Sequence, residues 1–357
     1  MTKEAVAEIL AGVIHPALEK SIVELGLVED IKIEDGGDAP SKVKFKLVFK
    51  KPDALVADLK EACEQRILSA FPGTKVYITE LVRESEKRSG TNVNDLGFEQ
   101  LEEVGKIIAI ASGKGGVGKS TVTVNLAIAL ARMGYSVGVA DADVYGPSIP
   151  KMTATEGLQP EVWANEENPS EQLIVPIEKY GIKWISIGYF TAPEQALIWR
   201  GPMACNALKQ MVLQVKWGQL DFLLLDLPPG TGDIHISLVK DLPLDGAIIV
   251  STPQAVALAD VEKGINLFRN PDVDKEILGI VENMAWFTPA ELPNNRYYIF
   301  GKEGCKAIAE KYNLDLLAQI PLVQSIRESG DNGTPAALEQ NENAFAALAN
   351  QVVMRTV

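Results

Sequence analysis

The segment GKGGVGKS, residues 113–120, constrains the fold of this chain more than any other feature. It follows an apolar run, KIIAIAS at 106–112, and it opens a helical pattern at 119–133. The segment matches G-x-x-x-x-G-K-[ST], in which glycines let backbone N–H groups close on phosphate oxygens. Because strand, loop and helix occur in the required order, the segment predicts a phosphate-binding loop and not a glycine-rich turn that only caps a helix.

The residue types in this loop predict the contacts of a bound nucleotide. Lys119 is expected to reach the β- and γ-phosphates, and the Ser120 hydroxyl is expected to bind Mg²⁺. Thr121 comes next and is expected to contact the α-phosphate. The pattern does not require a second lysine, yet Lys114 is present. The predicted nucleotide-binding residues of the loop are Gly113, Lys114, Gly115, Gly116, Val117, Gly118, Lys119, Ser120 and Thr121.

Acidic residues end two other apolar strands. SVGVADAD ends with Asp141 and Asp143, whose side chains share one side while the chain stays extended. FLLLDLPP places Asp226 after an apolar run, where a carboxylate holds Mg²⁺ through water. We assign Asp141 and Asp226 to Mg²⁺ and Asp143 to the attacking water. A turn-forming aspartate at a strand end is the alternative interpretation for each motif.

Apolar patterning divides the chain into three regions. Residues 1–82 alternate helices with short strands such as SKVKFKLVFK, which predicts a small α+β domain. Residues 83–103 are polar and predict a linker with one helical turn at its end. Residues 104–357 contain short all-apolar runs between helical patterns, typical of strands buried on both faces. We therefore predict a doubly wound, mostly parallel α/β domain whose ligand lies at the carboxyl ends of the strands.

Composition excludes several classes of partner. The chain has 357 residues and a net charge of −14, which argues against a non-specific nucleic-acid binder and against a surface attracted to anionic lipid. No apolar run reaches the ~18 residues of a membrane span, and the first residues lack a signal-peptide core. Three cysteines without a CxxC pair are too few for a cluster or zinc site within one chain. We predict a cytoplasmic protein without nucleic-acid or membrane partners.

Five ordered segments between residues 104 and 340 resemble the Mrp/ApbC family of ATP-dependent iron–sulfur cluster carriers. They are KGGVGKST, DADVYGPSIP, WRGPM, LLLDLPPGTGD and VENMAWF. This family belongs to the P-loop NTPases with a deviant phosphate loop, as do MinD, ParA, ArsA and the nitrogenase iron protein. Residues 5–80 resemble the MIP18-type (DUF59) domain that many Mrp proteins carry at their N-terminus. The resemblance implies ATP and Mg²⁺ as cofactors, ATP hydrolysis, and apo iron–sulfur proteins or assembly factors as partners.

The same resemblance implies a nucleotide-sandwich homodimer. In this class the additional lysine, here Lys114, points to the phosphates bound by the other subunit, as an arginine finger does. Asn283 in VENM matches the adenine-reading asparagine, and Pro321 matches the loop that flanks the adenine. The alternatives are a solvated lysine that contributes only long-range attraction at position 114 and a strand-end turn residue at position 283.

The chain departs from the family at the customary cluster ligands. Where relatives carry Cys-Pro-x-Cys after VENM, this chain has Thr288 and Glu291, and neither is a normal cluster ligand. The N-terminal domain has HPA at 15–17 where DPE is usual. One cysteine per subunit, doubled by a two-fold axis, gives two ligands, so a [4Fe–4S] cluster would need both Cys205 and Cys305; the sequence favours a buried or incidental cysteine at each position. Arg200 in WRGPM has no contact that the sequence predicts.

Three functions therefore stand against each other. The five motifs and the N-terminal domain favour an ATP-dependent cluster carrier. The missing cysteine pair keeps open an ATP-switched scaffold that holds no cluster. A positioning ATPase like MinD or ParA needs a membrane-seeking tail or a basic DNA face, whereas the tail NENAFAALANQVVMRTV carries a single arginine.

Overall fold

The chain forms two compact units, Met1–Glu86 and Lys87–Val357. The computed structural model describes residues 2–16, 20–34, 41–49, 55–82, 98–144, 146–165, 172–190, 201–289, 291–339 and 344–356. No helix among these residues has the length and apolar character needed to cross a bilayer.

The first unit is a small α+β fold, as predicted. Its elements are α1 (Lys3–Leu10), β1 (Ile14–His15), β2 (Lys20–Ser21), β3 (Val28–Glu34), β4 (Lys42–Phe49), α2 (Val56–Ala70) and β5 (Lys75–Val82). The central strand β4 is antiparallel to β3 and parallel to β5. Its alternate residues Val43, Phe45 and Leu47 are buried and pack in one cluster with Leu59 and Ile67 of α2. This alternation follows from a sheet that has its core on one face only.

The strands of the second unit are mostly short and apolar. In chain order they are β6 (Val104–Ala111), β7 (Val137–Asp141), β8 (Val162–Ala164), β9 (Gln172–Ile174), β10 (Ile177–Lys179), β11 (Ile182–Ser186), β12 (Leu220–Asp226), β13 (Gly246–Ser251), β14 (Ile277–Phe287) and β15 (Leu316–Leu322). Its helices are α3 (Lys119–Arg132), α4 (Ile149–Met152), α5 (Gly201–Leu213), α6 (Asp233–Asp241), α7 (Ala255–Phe268), α8 (Gly304–Tyr312), α9 (Gln324–Asp331) and α10 (Ala344–Thr356).

Eight of these strands form one sheet in the order β10-β11-β7-β12-β6-β13-β14-β15. Every pair in the sheet is parallel except β10 with β11 at one edge. The chain leaves β6 for β7 on one side and later returns to place β13 on the other side. The order of strands therefore reverses at β6, and a crevice for a ligand opens at the carboxyl ends of the strands there. The predicted doubly wound α/β fold is confirmed.

Both faces of this sheet are covered. Ile107 and Ala109 of β6 lie in an apolar cluster that includes residues of α5, α6, α7 and α8. Ile108 and Ile110, the alternate residues, lie in a second cluster with residues of α3 and α10. Successive side chains of a strand point to opposite faces, so a strand with two buried faces must be apolar at every position.

The observed elements match the predicted ones most closely where the pattern is long. The predicted helix 119–133 is α3. Residues 83–97 of the predicted linker lie outside the described residues, and the 3₁₀ helix Glu99–Leu101 lies near its predicted end. The pairs β1–β2 and β8–β9 and the edge strand β10 were not predicted. Each of these strands has two or three residues, too few for a periodic pattern to show.

Gly138 in β7 offers a test of how tightly this sheet is covered. A Cβ atom at this position would lie 2.7 Å from Leu220 Cδ1 and 3.0 Å from Trp217 Cε3. We expect Gly138→Ala to lower the free energy of unfolding by about 1–3 kcal/mol, because the buried neighbours have to move. All five tryptophans lie in the second unit, so urea unfolding followed by tryptophan fluorescence measures this unit.

Gly264→Ala in α7 is the matched control, because a Cβ atom there has no neighbour within 4 Å. Helix propensity predicts that this substitution raises the free energy of unfolding by about 0.5–1 kcal/mol. Equal unfolding curves for the two variants would contradict the packing described for β7.

Candidate functional site

The loop between β6 and α3 forms one wall of a cleft of about 220 Å³. Gly116 and Gly118 adopt φ angles of 82° and 84°, the left-handed region that residues with a side chain seldom enter. Gly118 is also the N-cap of α3, so the free N–H groups of the first helical turn point toward the cleft. The cleft is lined by Ser112, Lys114, Gly115, Gly116, Val117, Gly118, Lys119, Ser120, Thr121, Asp143, Gly146, Ser148, Met152 and Pro229.

Lys119 holds a buried positive charge at this loop. Only 5% of its side chain is exposed, and Nζ lies 2.8 Å from Asp226 Oδ2 and 3.9 Å from Asp143 Oδ2. The ammonium group is close enough to Asp226 for an ion pair, but it makes no well-directed hydrogen bond with the part of the chain that the structure describes. Its N–H groups therefore keep donor capacity for an anion in the cleft.

Asp226 is the partner that this buried charge requires. It lies at the end of β12 with no exposed surface. Oδ2 accepts a hydrogen bond from Ser120 Oγ at 2.6 Å, and Oδ1 accepts one from Thr123 Oγ1 at 2.6 Å. The carboxylate is thus satisfied by two hydroxyls and one ammonium group, all from the first turns of α3. The predicted Mg²⁺ residues Ser120 and Asp226 lie in direct contact.

Asp141 and Asp143 are placed differently from each other. Strand β7 ends at Asp141, and Asp143 lies in the segment that follows it. Asp141 is fully buried; Oδ2 accepts a hydrogen bond from Ser186 Oγ at 2.8 Å, and Oδ1 accepts one from the backbone N–H of Asp143 at 3.2 Å. Burial and the neighbouring Asp226 raise the pKa of Asp141 to about 7. Asp143 lines the cleft.

Lys114 also lines the cleft, and it is half-buried. Its Nζ donates to Gln254 Oε1 at 3.5 Å, a long hydrogen bond to the residue before α7. At this length the hydrogen bond is weak.

The two residues predicted to contact adenine lie outside the set that lines the cleft. Asn283 in β14 is buried, and its Nδ2 donates to the carbonyl of Val117 at 2.8 Å, which fixes the back of the phosphate loop. Pro321 is half-buried in β15. Their contact with adenine stays a prediction.

Glu282, next to Asn283, is a fully buried carboxylate on the other side of β14. Its Oε2 accepts from the backbone N–H of Cys305 at 2.8 Å, and its Oε1 accepts from Gln319 Nε2 at 2.8 Å. The first turn of α8 is therefore tied to β14 through Glu282, a residue that no sequence pattern singled out.

All three cysteines are free and buried. Burial, reinforced by Glu282, raises the pKa of the Cys305 thiol. Cys205 in α5 is the most exposed of the three at 8%. Within the described ranges, no three His, Cys, Asp or Glu side chains are grouped as ligands for a metal ion. Thr288 is half-buried and Glu291 is exposed, while Arg200 and Ala17 lie outside the described residues.

Three polar residues of the site were missed in the sequence. Thr123 follows Lys119 by four residues, so helical spacing alone places both on one side of α3, and this signal could have been found. Ser186 and Gln254 carry no such signal, because each depends on which strand or helix lies beside the site. That adjacency comes from the order of strands in the sheet.

Comparison with known proteins agrees with this geometry. Residues 103–357 match the family described as NUBPL iron-transfer P-loop NTPase, and residues 3–78 match iron–sulfur cluster assembly protein. The iron–sulfur cluster carrier protein of Synechocystis is 40% identical over 99% of this chain and 97% of its own length. The iron–sulfur cluster transfer protein NUBPL of mouse is 42% identical over 76% of this chain and 85% of its own.

A solved structure supports the same assignment. The nucleotide-binding protein of Archaeoglobus fulgidus, solved in complex with ADP, is 36% identical and has a TM-score of 0.59 over 69% of this chain and 94% of its own. The resemblance to the Mrp/ApbC carriers and to the MIP18-type domain is thereby confirmed. The chain belongs to the NUBPL iron-transfer P-loop NTPase family and carries an N-terminal region of the iron–sulfur cluster assembly type.

Proposed function

We propose that this protein binds and hydrolyses ATP as a homodimer and carries an iron–sulfur cluster to recipient proteins. The observation that carries the nucleotide part is the buried Lys119 ammonium group, held by Asp226 at 2.8 Å with donor capacity left over. Burying a cation costs several kcal/mol, and an ion pair offsets that cost only when the remaining N–H groups of the cation are hydrogen-bonded as well. Phosphate oxygens of ATP in the cleft would accept the hydrogen bonds that Lys119 has left to donate.

The donor set fits Mg²⁺ with a nucleotide. Hydroxyl and carboxylate oxygens are the ligands that Mg²⁺ prefers, and Ser120 Oγ and Asp226 Oδ2 are 2.6 Å apart. Ser120 would bind the ion directly and Asp226 through water, with Asp141 in the surrounding shell. When bound, Mg²⁺ supplies neutralisation of the charge on the β- and γ-phosphate oxygens. The backbone N–H groups of 113–121 would enclose the phosphates.

Two further residues have proposed roles in hydrolysis. Asp143 lines the cleft near Lys119, so its carboxylate is proposed to orient the attacking water. Lys114 is proposed to act in the dimer, where it stabilises charge on the phosphates held by the partner subunit. Its hydrogen bond to Gln254 Oε1 is 3.5 Å long and therefore weak enough to be exchanged for a phosphate. Asn283 and Pro321 are proposed to flank the adenine, as in the family that the chain resembles.

The cluster is the cargo of this proposal. The family supports this part of the proposal. The customary ligand positions do not, because they are occupied by Thr288 and Glu291. Cys205, the most exposed thiol, is the proposed ligand within the second unit. A second function, an ATP-switched scaffold without a cluster, is favoured by the burial of all three thiols. The cytoplasmic location stays a prediction from the sequence.

Lys119→Ala tests the nucleotide site. We expect the variant to lose ATP turnover by about 100-fold or more, because the buried cation is a contact to the charge that develops during phosphoryl transfer. Phosphate release with Mg²⁺ and ATP measures this effect. The matched control is Lys311→Ala, which removes an exposed lysine paired with Glu262 on the protein surface. Wild-type turnover in Lys119→Ala would contradict the assignment of the phosphate loop.

Lys114→Ala tests the proposed contact across the dimer. We expect the dissociation constant for ATP to change by about twofold or less, while turnover falls by about 100-fold, because the lost charge acts only in the closed dimer. Titration with a fluorescent nucleotide measures the affinity, and light scattering in the presence of ATP measures whether the variant still forms a dimer. Normal turnover in this variant would exclude the role in trans.

Anaerobic reconstitution with iron and sulfide separates carrier from scaffold. We expect the wild-type protein to bind labile iron and sulfide, measured by iron count and visible absorbance. Cys205→Ser should lower the bound iron at least about twofold, since thiolate is the normal ligand of such clusters. Cys63→Ser, in the first unit, is the control. Wild-type protein without labile iron would support the scaffold and contradict the carrier.

A further inference from the structure

The Asp141–Thr155 segment, of which the structure describes residues 141–144 and 146–155, supplies a large part of the cleft wall. Its residues Asp143, Gly146, Ser148 and Met152 all line the cleft. Its described part contains one short helix, α4, and the turn after this helix is closed by the backbone N–H of Thr155, which donates to the carbonyl of Pro150 at 2.8 Å. Contacts from outside help to fix its position, among them the backbone N–H of Ala142, which donates to the carbonyl of Asp226 at 2.9 Å.

A single turn contacts both ends of this segment. Ser186 ends β11 and is the N-cap of the 3₁₀ helix Ile187–Tyr189. At the start of the segment, Ser186 Oγ donates to Asp141 Oδ2 at 2.8 Å. At its end, the hydroxyls of Tyr189 and Thr155 are 2.7 Å apart. We call residues 186–189 the anchoring turn.

The middle of the segment also packs on the anchoring turn. A Cβ atom at Gly188 would lie 3.2 Å from Pro147 Cβ and 3.2 Å from Pro150 Cγ. The absence of a side chain at position 188 thus permits close approach of the two prolines. The anchoring turn therefore meets the segment at its start, its middle and its end.

These contacts are shielded from water. Asp141, Ser186 and Thr155 have no exposed surface, and Tyr189 is 6% exposed. Thr153 extends the polar chain, with its hydroxyl 2.8 Å from that of Thr155 and a hydrogen bond to the carbonyl of Ile149. Buried hydrogen bonds resist exchange with water, and losing one leaves a polar group unpaired.

We propose that Ser186 and Tyr189 are positioning residues for ATP hydrolysis. They hold the Asp141–Thr155 segment at both ends and thereby fix Asp143, whose backbone N–H binds Asp141, against the cleft. Neither residue lines the cleft, so both act through the segment. This inference rests on the proposed function for its effect on turnover, whereas the contacts themselves do not.

Hydrogen–deuterium exchange on the full nucleotide-free chain tests the anchoring directly. We expect Ser186→Ala and Tyr189→Phe to speed amide exchange in peptides covering 141–155 by about fivefold to tenfold, the effect of losing one buried hydrogen bond. Peptides covering β12 should be unchanged. Tyr189→Phe keeps the ring in the core, so it leaves the fold intact even if Ser186→Ala does not.

Two matched controls remove equivalent bonds elsewhere in the second unit. Ser136→Ala removes a hydroxyl bonded to Asp221 at 2.9 Å, at the opposite end of β7. Tyr312→Phe removes a phenol at the end of α8 that donates to Glu262 Oε2 at 3.0 Å. We expect neither to change exchange in 141–155. Unchanged exchange in both anchoring variants, or an equal increase in the controls, would overturn the proposal.

Kinetics then separates positioning from a merely structural effect. In both anchoring variants kcat should fall by about fivefold to tenfold, while the dissociation constant for ATP stays within about twofold, because the phosphate loop is untouched. Weaker ATP binding with unchanged kcat would overturn the positioning role. If wild-type protein hydrolyses no ATP, the proposed function fails, and the exchange comparison still decides whether the turn anchors the segment.

Discussion

The contact between Asp226 and the first turns of α3 is the interaction on which this site depends. A carboxylate and an ammonium group without access to water are each costly to bury, and their attraction offsets that cost only when the remaining lone pairs are satisfied. Ser120 and Thr123 provide those hydrogen bonds at 2.6 Å each. The pair therefore joins the end of β12 to the beginning of α3, and it fixes the phosphate loop at its C-terminal end. Asn283 holds the same loop from behind through the carbonyl of Val117.

Most of the architecture could be predicted from the sequence, because long periodic patterns report burial directly. The all-apolar run in β6 requires two covered faces, and the glycine pattern after it requires a phosphate-binding loop at the strand end. The position of Asp226 at the end of a buried strand could be predicted as well, since its acidic side chain follows an apolar run. Ser186 could not, because its contact with Asp141 depends on β11 lying next to β7. Strand order is decided by long-range packing that a local pattern does not contain.

The cysteines show a different limit. Sequence counts the thiols and shows that the usual pair is replaced, but it cannot say how far each remaining thiol is from water. Burial of Cys305 and the negative charge of the neighbouring Glu282 both disfavour a thiolate at this position. Cys205 is slightly more exposed, at 8%. The structure thus ranks two residues that the sequence treats alike.

Glu282 and Asn283 are consecutive, and they serve opposite faces of β14. One ties the start of α8 to the strand, and the other supports the phosphate loop. Because side chains alternate along a strand, a slip of one residue in register would exchange them. A negative carboxylate would then face the carbonyl of Val117 in the phosphate loop, and an amide would replace the acceptor at α8. A single-residue insertion or deletion that shifts the register of Glu282 and Asn283 would therefore disturb the phosphate loop and the start of α8 together.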